Sequence, residues 1–230
     1  MIKKLLISVT GHTRHDWKNK LREISKYHLK EIALFLEAFP PKERTGLLPA
    51  LEASEVQAIP LVHLRDDTSR EEIKMLKKRF KTKFFTIHES HFSKKILSRW
   101  RGFHKYLCLE MNADNSVASS VHVDAIGGFC IDCAHFKIEV SKQDDEYRYI
   151  IEHLKKSPAI CNHISGYSYA RNKDVHTPHQ IRNFNYLTTL PKSLFGRILA
   201  IEIYNSITDQ LTYAQYIKKN LGQYLDCKII

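Results

Sequence analysis

Short apolar runs alternate with amphipathic stretches along the whole of the 230-residue chain, the pattern expected of a parallel sheet whose strands are joined by crossover helices. Residues 4–10 read as a first strand. Residues 17–27 read as a helix, with Leu21 and Ile24 on one face and basic side chains on the other. The pairing repeats at 31–37 with 42–53, and at 59–64 with 69–80. In the second of these, Thr68 or Ser69 is placed to cap a helix whose first turn carries Glu71 and Glu72. Further strands are expected at 83–88, 106–110, 129–134, 159–165 and 199–204, and further helices at 92–101, 145–156 and 212–224. Residues 112–128 and 171–185 have no helical period and read as long connections. Eight strands alternating with about as many helices in this length predict a single (β/α)8 TIM barrel over residues 1–230. An open doubly wound sheet is the alternative.

Composition changes this picture little. Apolar residues make up 43% of the chain, enough for one sizeable core. No run approaches the length needed to cross a bilayer. Residues 1–9 have a basic start and an apolar stretch but no small-residue cleavage site, and read as a buried strand. Five cysteines, an odd number, argue for a reducing compartment, with the cytoplasm as the expected location. The Cys130-x-x-Cys133 pair lacks a second pair and falls in an expected strand, where its members face opposite sides, so it reads as structural. The net charge of +11 favours a polyanionic partner, nucleic acid or a phosphorylated substrate, although the lysines are spread over many helices. No membrane partner is expected, and nothing in the pattern sets an oligomeric state.

The chemistry of such barrels lies at the carboxyl ends of the strands, and here those ends share a character. The second run ends at Glu37, the third at His63, the fourth at His88, the fifth at Glu110, the sixth at Asp132, the seventh at His163 and the eighth at Glu202. Carboxylates and imidazoles are the side chains that ligate zinc, manganese or iron. Crowded at one mouth, buried charges of one sign are costly unless a cation neutralises them. Strand alternation offers a check, because the residue two positions before an inward ligand also points inward. Those residues are Cys108, Cys130, Cys161 and Ala200, all small.

The run Gly128-Phe-Cys-Ile-Asp132-Cys-Ala-His135-Phe resembles a strand-six motif of the xylose-isomerase-like superfamily, which contains sugar isomerases and epimerases alongside apurinic DNA-repair enzymes of the endonuclease-four type. Leu-Glu110, His163-Ile-Ser, Asp174-Val-His176 and Ile-Glu202 follow in the expected order. The resemblance implies that Glu110, Asp132, His163 and Glu202 hold one shared metal. It matches the flanking ligands of the three-metal repair enzymes to His63, His88, His135, Asp174 and His176. One departure is that Thr177-Pro178-His179 follows Asp174-x-His176, where the family has a glycine-rich turn. The cofactor implied is a divalent metal, zinc first, with manganese or iron as alternatives.

Two chemistries follow. The first is metal-dependent phosphoester hydrolysis, of the endonuclease-four kind, with up to three ions and with Arg65, Arg171 and Lys173 as candidate phosphate partners. The second is a one-metal isomerase or epimerase of a sugar or sugar phosphate, in which Glu110 and Glu202 are the catalytic acid and base. A barrel retained only for binding is a third reading.

Overall fold

A computed structural model of the chain describes residues 2, 4–11 and 16–222. Strands form where leucine, isoleucine, phenylalanine and cysteine cluster in short runs: Lys4–Leu6 (β1), Ser8–Val9 (β2), Ala33–Phe35 (β3), Leu61–His63 (β4), Phe84–His88 (β5), Leu107–Glu110 (β6), Phe129–Asp132 (β7) and Ala159–Ile164 (β8). Gly166–Ser168 (β9) and Lys173–Val175 (β10) make a separate antiparallel hairpin, and Ile198–Ile201 (β11) is the last strand. The large sheet runs β1-β11-β8-β7-β6-β5-β4-β3-β2 with every neighbouring pair parallel. Only Ile7 separates β1 from β2, so the two are halves of one strand. One half pairs with β11 and the other with β3, which closes the ring. The fold is an α/β TIM barrel, as the alternation of the sequence predicts.

At the break in the first strand, Gln210 replaces ladder partners. Its Oε1 accepts from the Ser8 N–H at 2.7 Å and its Nε2 donates to the Ser8 carbonyl at 3.1 Å. The helices are Asp16–Lys26 (α1), Pro41–Glu52 (α2), Arg70–Phe80 (α3), Lys94–Arg99 (α4), Cys133–Lys142 (α5), Asp145–His153 (α6) and Ile207–Asn220 (α7). Ser69 caps α3 in a reciprocal capping box with Glu72. Among the described residues no helix is long and apolar enough to cross a membrane.

The alternation is less strict than the sequence predicts. The loop after β6 contains only a 3₁₀ turn at Val123–Ala125, α5 and α6 both lie between β7 and β8, and the hairpin with a 3₁₀ segment, Ile181–Thr189, stands where a helix would precede β11. The connection expected at 171–185 is thus largely ordered as hairpin and 3₁₀ turns. The strand expected over 129–134 stops at Asp132, whose Oδ1 accepts the N–H groups of Ala134 and His135, both at 2.8 Å. Asp132 is therefore the N-cap of α5 and Cys133 its first residue, so Cys130 and Cys133 do not share a strand. The helix expected over 212–224 begins earlier, behind the Ser206 cap, and residues 223–224 lie outside the described residues.

Two apolar layers result. Leu6, Ala33, Phe35, Leu61, Cys108, Cys130, Cys161, Ile198 and Ala200 fill the barrel, and a larger cluster lies between sheet and helices. The small residues expected beneath the strand-end donors are thus in the interior, where packing density is high.

A bulge between β7 and β8 sets the register of the site. Phe129 pairs with Ala159, but Cys130 pairs with Cys161 and Asp132 with His163. Skipping Ile160 corrects the parity, because strand side chains alternate and an unshifted pairing would set Asp132 beside Asn162. Asn162 holds the segment behind the bulge. Its Nδ2 donates to Ile131 O at 3.1 Å and Leu194 O at 2.9 Å, and its Oδ1 accepts from Gly196 N at 2.7 Å. A Cβ on Gly196 would lie 2.3 Å from the Ile160 carbonyl carbon and 2.4 Å from Cys161 N, contacts no rigid backbone accommodates. Gly196→Ala is expected to lower stability by about 2 kcal/mol or more, read as a fall in the denaturant midpoint. An unchanged midpoint would mean that the close approach does not hold the bulge.

Candidate metal centre

Each donor at the barrel mouth is fixed by the last residues of its strand. Register sets His88 of β5 beside Glu110 of β6, Phe35 of β3 beside His63 of β4, and Ala200, two residues before Glu202, beside His163. One oxygen or nitrogen from each of Glu110, Asp132, His163 and Glu202 lies within 4.8 Å of the others. A second group, Glu37, His63 and His88, meets the same criterion, and His63 also groups with Glu110 and His163, so the two sets share the Glu110 side of the mouth.

His163 anchors the first set. Its Nε2 is 3.3 Å from the Thr86 hydroxyl, while its Nδ1 lies 2.9 Å from Glu110 Oε2 and 3.3 Å from Glu202 Oε2. These close approaches lack hydrogen-bond alignment. Glu110 Oε2, Asp132 Oδ2 and His163 Nδ1 are all buried without a hydrogen-bond partner. Donor atoms that crowd together without bonding to one another are arranged as ligands of a common centre, and two or three carboxylates with an imidazole are a donor set for a divalent ion. The residues present therefore fit such an ion. His63 fits it too, being 1% exposed with neither ring nitrogen hydrogen-bonded.

The second set is different in kind. Glu37 Oε2 is 3.0 Å from His88 Nε2, a bonded pair, and 3.4 Å from His63 Nε2. Glu37, which closes the second apolar run, belongs to the mouth. Of the remaining predicted donors, His135 and His176 line the same pocket, and Asp174 Oδ2 lies 2.9 Å from His176 Nδ1. His135, Asp174 and His176 do not converge on one point as the other sets do, among the described residues. His12 and His15 lie outside the described residues.

The electrostatics are strongly polarised. Burial drives His63 down to about 3, so it is a neutral imidazole. Burial opposes protonation of His163 as well, but Glu110 and then Glu202 outweigh it and raise His163 to about 9. His88 reaches about 9 in the same way, burial being overcome by Glu110 and Glu37. Burial alone would raise Glu110, yet the imidazoles of His163, His63 and His88 hold it well below the carboxylate range. Glu37 is likewise held to about 2, against burial, by His63 and His88. Burial pushes Glu202 up to about 7.

Beside these groups is a pocket of about 330 Å³ lined by Thr10, Gly11, Phe35, Arg65 and Tyr204 as well as Glu37, His88, Glu110, His135, His176 and Glu202. Phe35 meets the His163 ring edge-on with centroids 4.7 Å apart, and Tyr204 stacks on His176 at 5.3 Å. The pattern of strand ends does not reveal Thr86, Phe35 or Tyr204. Thr86 and Phe35 could have been found by alternation, since each lies on the inward face of its strand. Arg65, a candidate phosphate partner, is present, its Nε bonded to Asp67 at 2.9 Å. Arg171 lines a separate, larger cavity of about 480 Å³ behind the β9–β10 hairpin that holds none of the predicted donors.

The barrel's likeness is to a D-tagatose 3-epimerase-like protein. That solved structure matches 95% of this chain and 98% of its own, with a TM-score of 0.52 and 12% sequence identity, a likeness of fold. An HpcH/HpaI aldolase from Desulfitobacterium hafniense DCB-2 matches over 95% and 93% at 8% identity with a TM-score of 0.41. No family model and no curated protein matches the sequence.

Because His163 carries a proton near neutrality, an ion taken up by the first set must displace it. Uptake at pH 7 is expected to release about one proton per ion, with affinity rising about tenfold per pH unit below 9. Proton release in weakly buffered titrations measures this, and pH-independent uptake would contradict it.

Proposed function

We propose that the chain is a divalent-metal-dependent isomerase or epimerase of a small sugar or sugar phosphate, with Glu110 and Glu202 moving a proton at a carbon beside a carbonyl. The observation that carries the reading is the pair of carboxylates that flank His163 Nδ1 at 2.9 and 3.3 Å and differ in proton affinity. Glu110 is ionised near neutrality and Glu202 titrates at about 7. Two carboxyl groups pushed apart in this way supply a base and an acid at the same pH. The pocket, about 330 Å³, is of monosaccharide scale, at the lower end of the roughly 300–1,000 Å³ usual for small-molecule sites. The fold likeness to the D-tagatose 3-epimerase-like protein supports the same reading.

Glu110, Asp132, His163 and Glu202 would hold the ion, with His63 beside them. A bound divalent ion would supply Lewis acidity toward a substrate carbonyl and neighbouring hydroxyl. Ionised Glu110 removes the proton on the carbon next to the carbonyl, and the bonding pair moves toward the carbonyl oxygen. Protonated Glu202 returns a proton on the other face, so the carbon inverts and the two carboxyls exchange protonation states. His135, His176 and Arg65 line the pocket where hydroxyl or phosphate groups of the substrate would be held. Phe35 keeps the floor apolar and excludes water.

A second reading, phosphoester hydrolysis on two or three ions, draws on the Glu37, His63 and His88 group beside Glu110 and on the +11 charge. Ion count separates the two, with about one bound ion per chain expected for the epimerase and two or three for the hydrolase. On a panel of ketoses and ketose phosphates in deuterated water, the metal-loaded protein is expected to exchange a carbon-bound proton with solvent. Glu202→Gln is expected to lower turnover by about 10²–10⁴. Cleavage of an abasic DNA duplex without any sugar exchange would replace this reading with the hydrolase.

A further inference from the structure

Away from the mouth, on the outer side of the barrel where α5 meets α6, a second group of carboxylates takes no part in the chemistry above. Oxygens of Glu139, Asp144 and Glu146 lie within 4.8 Å of one another. Glu139 is on α5, Asp144 caps α6, and Glu146 is in the first turn of α6. Crowded acids alone would say little. What distinguishes this group is that Glu139 is 1% exposed and neither of its oxygens has a hydrogen-bond partner. Glu146, fully buried, accepts the Asp114 N–H at 3.2 Å through Oε1, while its Oε2 is unpartnered. Asp144 accepts the Tyr147 N–H at 3.0 Å through Oδ1, and its Oδ2 is unpartnered. Nearby Glu89 accepts the Ala118 N–H at 2.8 Å through Oε1 and leaves Oε2 buried and unpartnered.

Buried carboxylate oxygens are almost always satisfied, and several unsatisfied together are costly unless a cation or shared protons compensate them. The charged groups that act on Glu139 are Glu146, Asp144 and Asp132, all acids. The nearby ammonium of Lys142 is turned to Asn115 Oδ1 at 2.6 Å. Among the described residues no basic side chain forms an ion pair with these carboxylates.

We propose that Glu139, Asp144 and Glu146 form a calcium site that ties α5, α6 and the 112–118 loop together. The donors are all oxygen, with no histidine or thiol, which selects a hard cation over zinc. Three carboxylates from the protein itself, with loop carbonyls and water to complete the shell, suit the large and flexible coordination of calcium. Magnesium usually takes one or two carboxylates and keeps its waters. The site would have a structural bearing on the mouth. Glu139 borders the same small void of about 10 Å³ as Asp132 and His135, and α5 begins on Asp132, so fixing the far end of α5 fixes the helix that carries His135.

Thermal unfolding of the metal-stripped chain, with and without calcium, tests this. Calcium at about a hundredfold above its dissociation constant is expected to raise Tm by about 5–10 °C for a chain of this size. The rise should survive Glu202→Gln, which alters only the mouth, and vanish in Glu139→Gln. Asp144→Asn keeps the N-cap and should weaken calcium binding at least tenfold by calorimetry, which carries the test if Glu139→Gln does not fold. No rise in the unaltered protein, a rise that persists in Glu139→Gln, full affinity in Asp144→Asn, or loss of the rise in Glu202→Gln would each overturn the proposal. The last would assign the calcium to the mouth, and failure of the sugar reaction leaves this site unaffected.

Discussion

Acids and imidazoles brought out of water at a single mouth must compensate one another, and much of the barrel's upper half is organised by that need. Glu110 is ionised and 1% exposed because the charged imidazoles of His163 and His88 stand beside it. The imidazoles divide the task unequally. His163 and His88 carry charge, while His63 is neutral with both ring nitrogens unsatisfied. A protein that needed only balance could have bonded these groups in pairs, as it does Glu37 with His88. Leaving several nitrogens and oxygens aimed at a shared space without alignment costs stability unless a ligand repays it.

That arrangement depends on backbone details far smaller than the fold. The one-residue bulge at Ile160 brings Asp132 beside His163, and Asn162, facing away from the mouth, braces the strand through the carbonyl of Leu194 and the N–H of Gly196. Cysteine and alanine in the layer below leave room for Phe35 to lean against His163. Asp132 serves two purposes at once. One oxygen caps α5 and the other is left free toward the donors, so the start of the helix and the geometry of the site are one feature.

The barrel and most of its mouth were legible because both depend on strand periodicity. An apolar run ended by a polar residue announces a strand end, and alternation then picks out the small residues beneath Glu110, Asp132, His163 and Glu202. What was hidden depends on contacts between distant segments. The bulge has no signature in the sequence of β8. Cys133 read as strand because Phe129–Ala134 is continuously apolar but for Asp132, and a single aspartate could equally close a strand or cap a helix. The pairing of Glu37 was not legible because its partners, His63 and His88, come from other strands. The carboxylates at α5 and α6 carry no signal in the sequence, since the 112–118 loop that helps bury them shows no helical or strand period.

The donor inventory alone does not separate one ion from several, but the bonding state of the donors orders them. In the first set Glu110, Asp132 and His163 each hold an unsatisfied atom toward the common space, so an ion there displaces protons but breaks no aligned hydrogen bond. In the second set an ion must first part Glu37 from His88, a 3.0 Å bond between a carboxylate and a charged imidazole, and Glu110 stands nearer the first set, its Oε2 2.9 Å from His163 but 3.6 Å from His63. The third group is further from readiness, because Asp174 and His176 already hold each other. An ion entering this mouth would therefore meet least resistance at Glu110, Asp132, His163 and Glu202, and each additional ion would have to overcome a bond that the first does not. In a pocket of this size, that order would leave the remaining histidines free of ions and lining the open space.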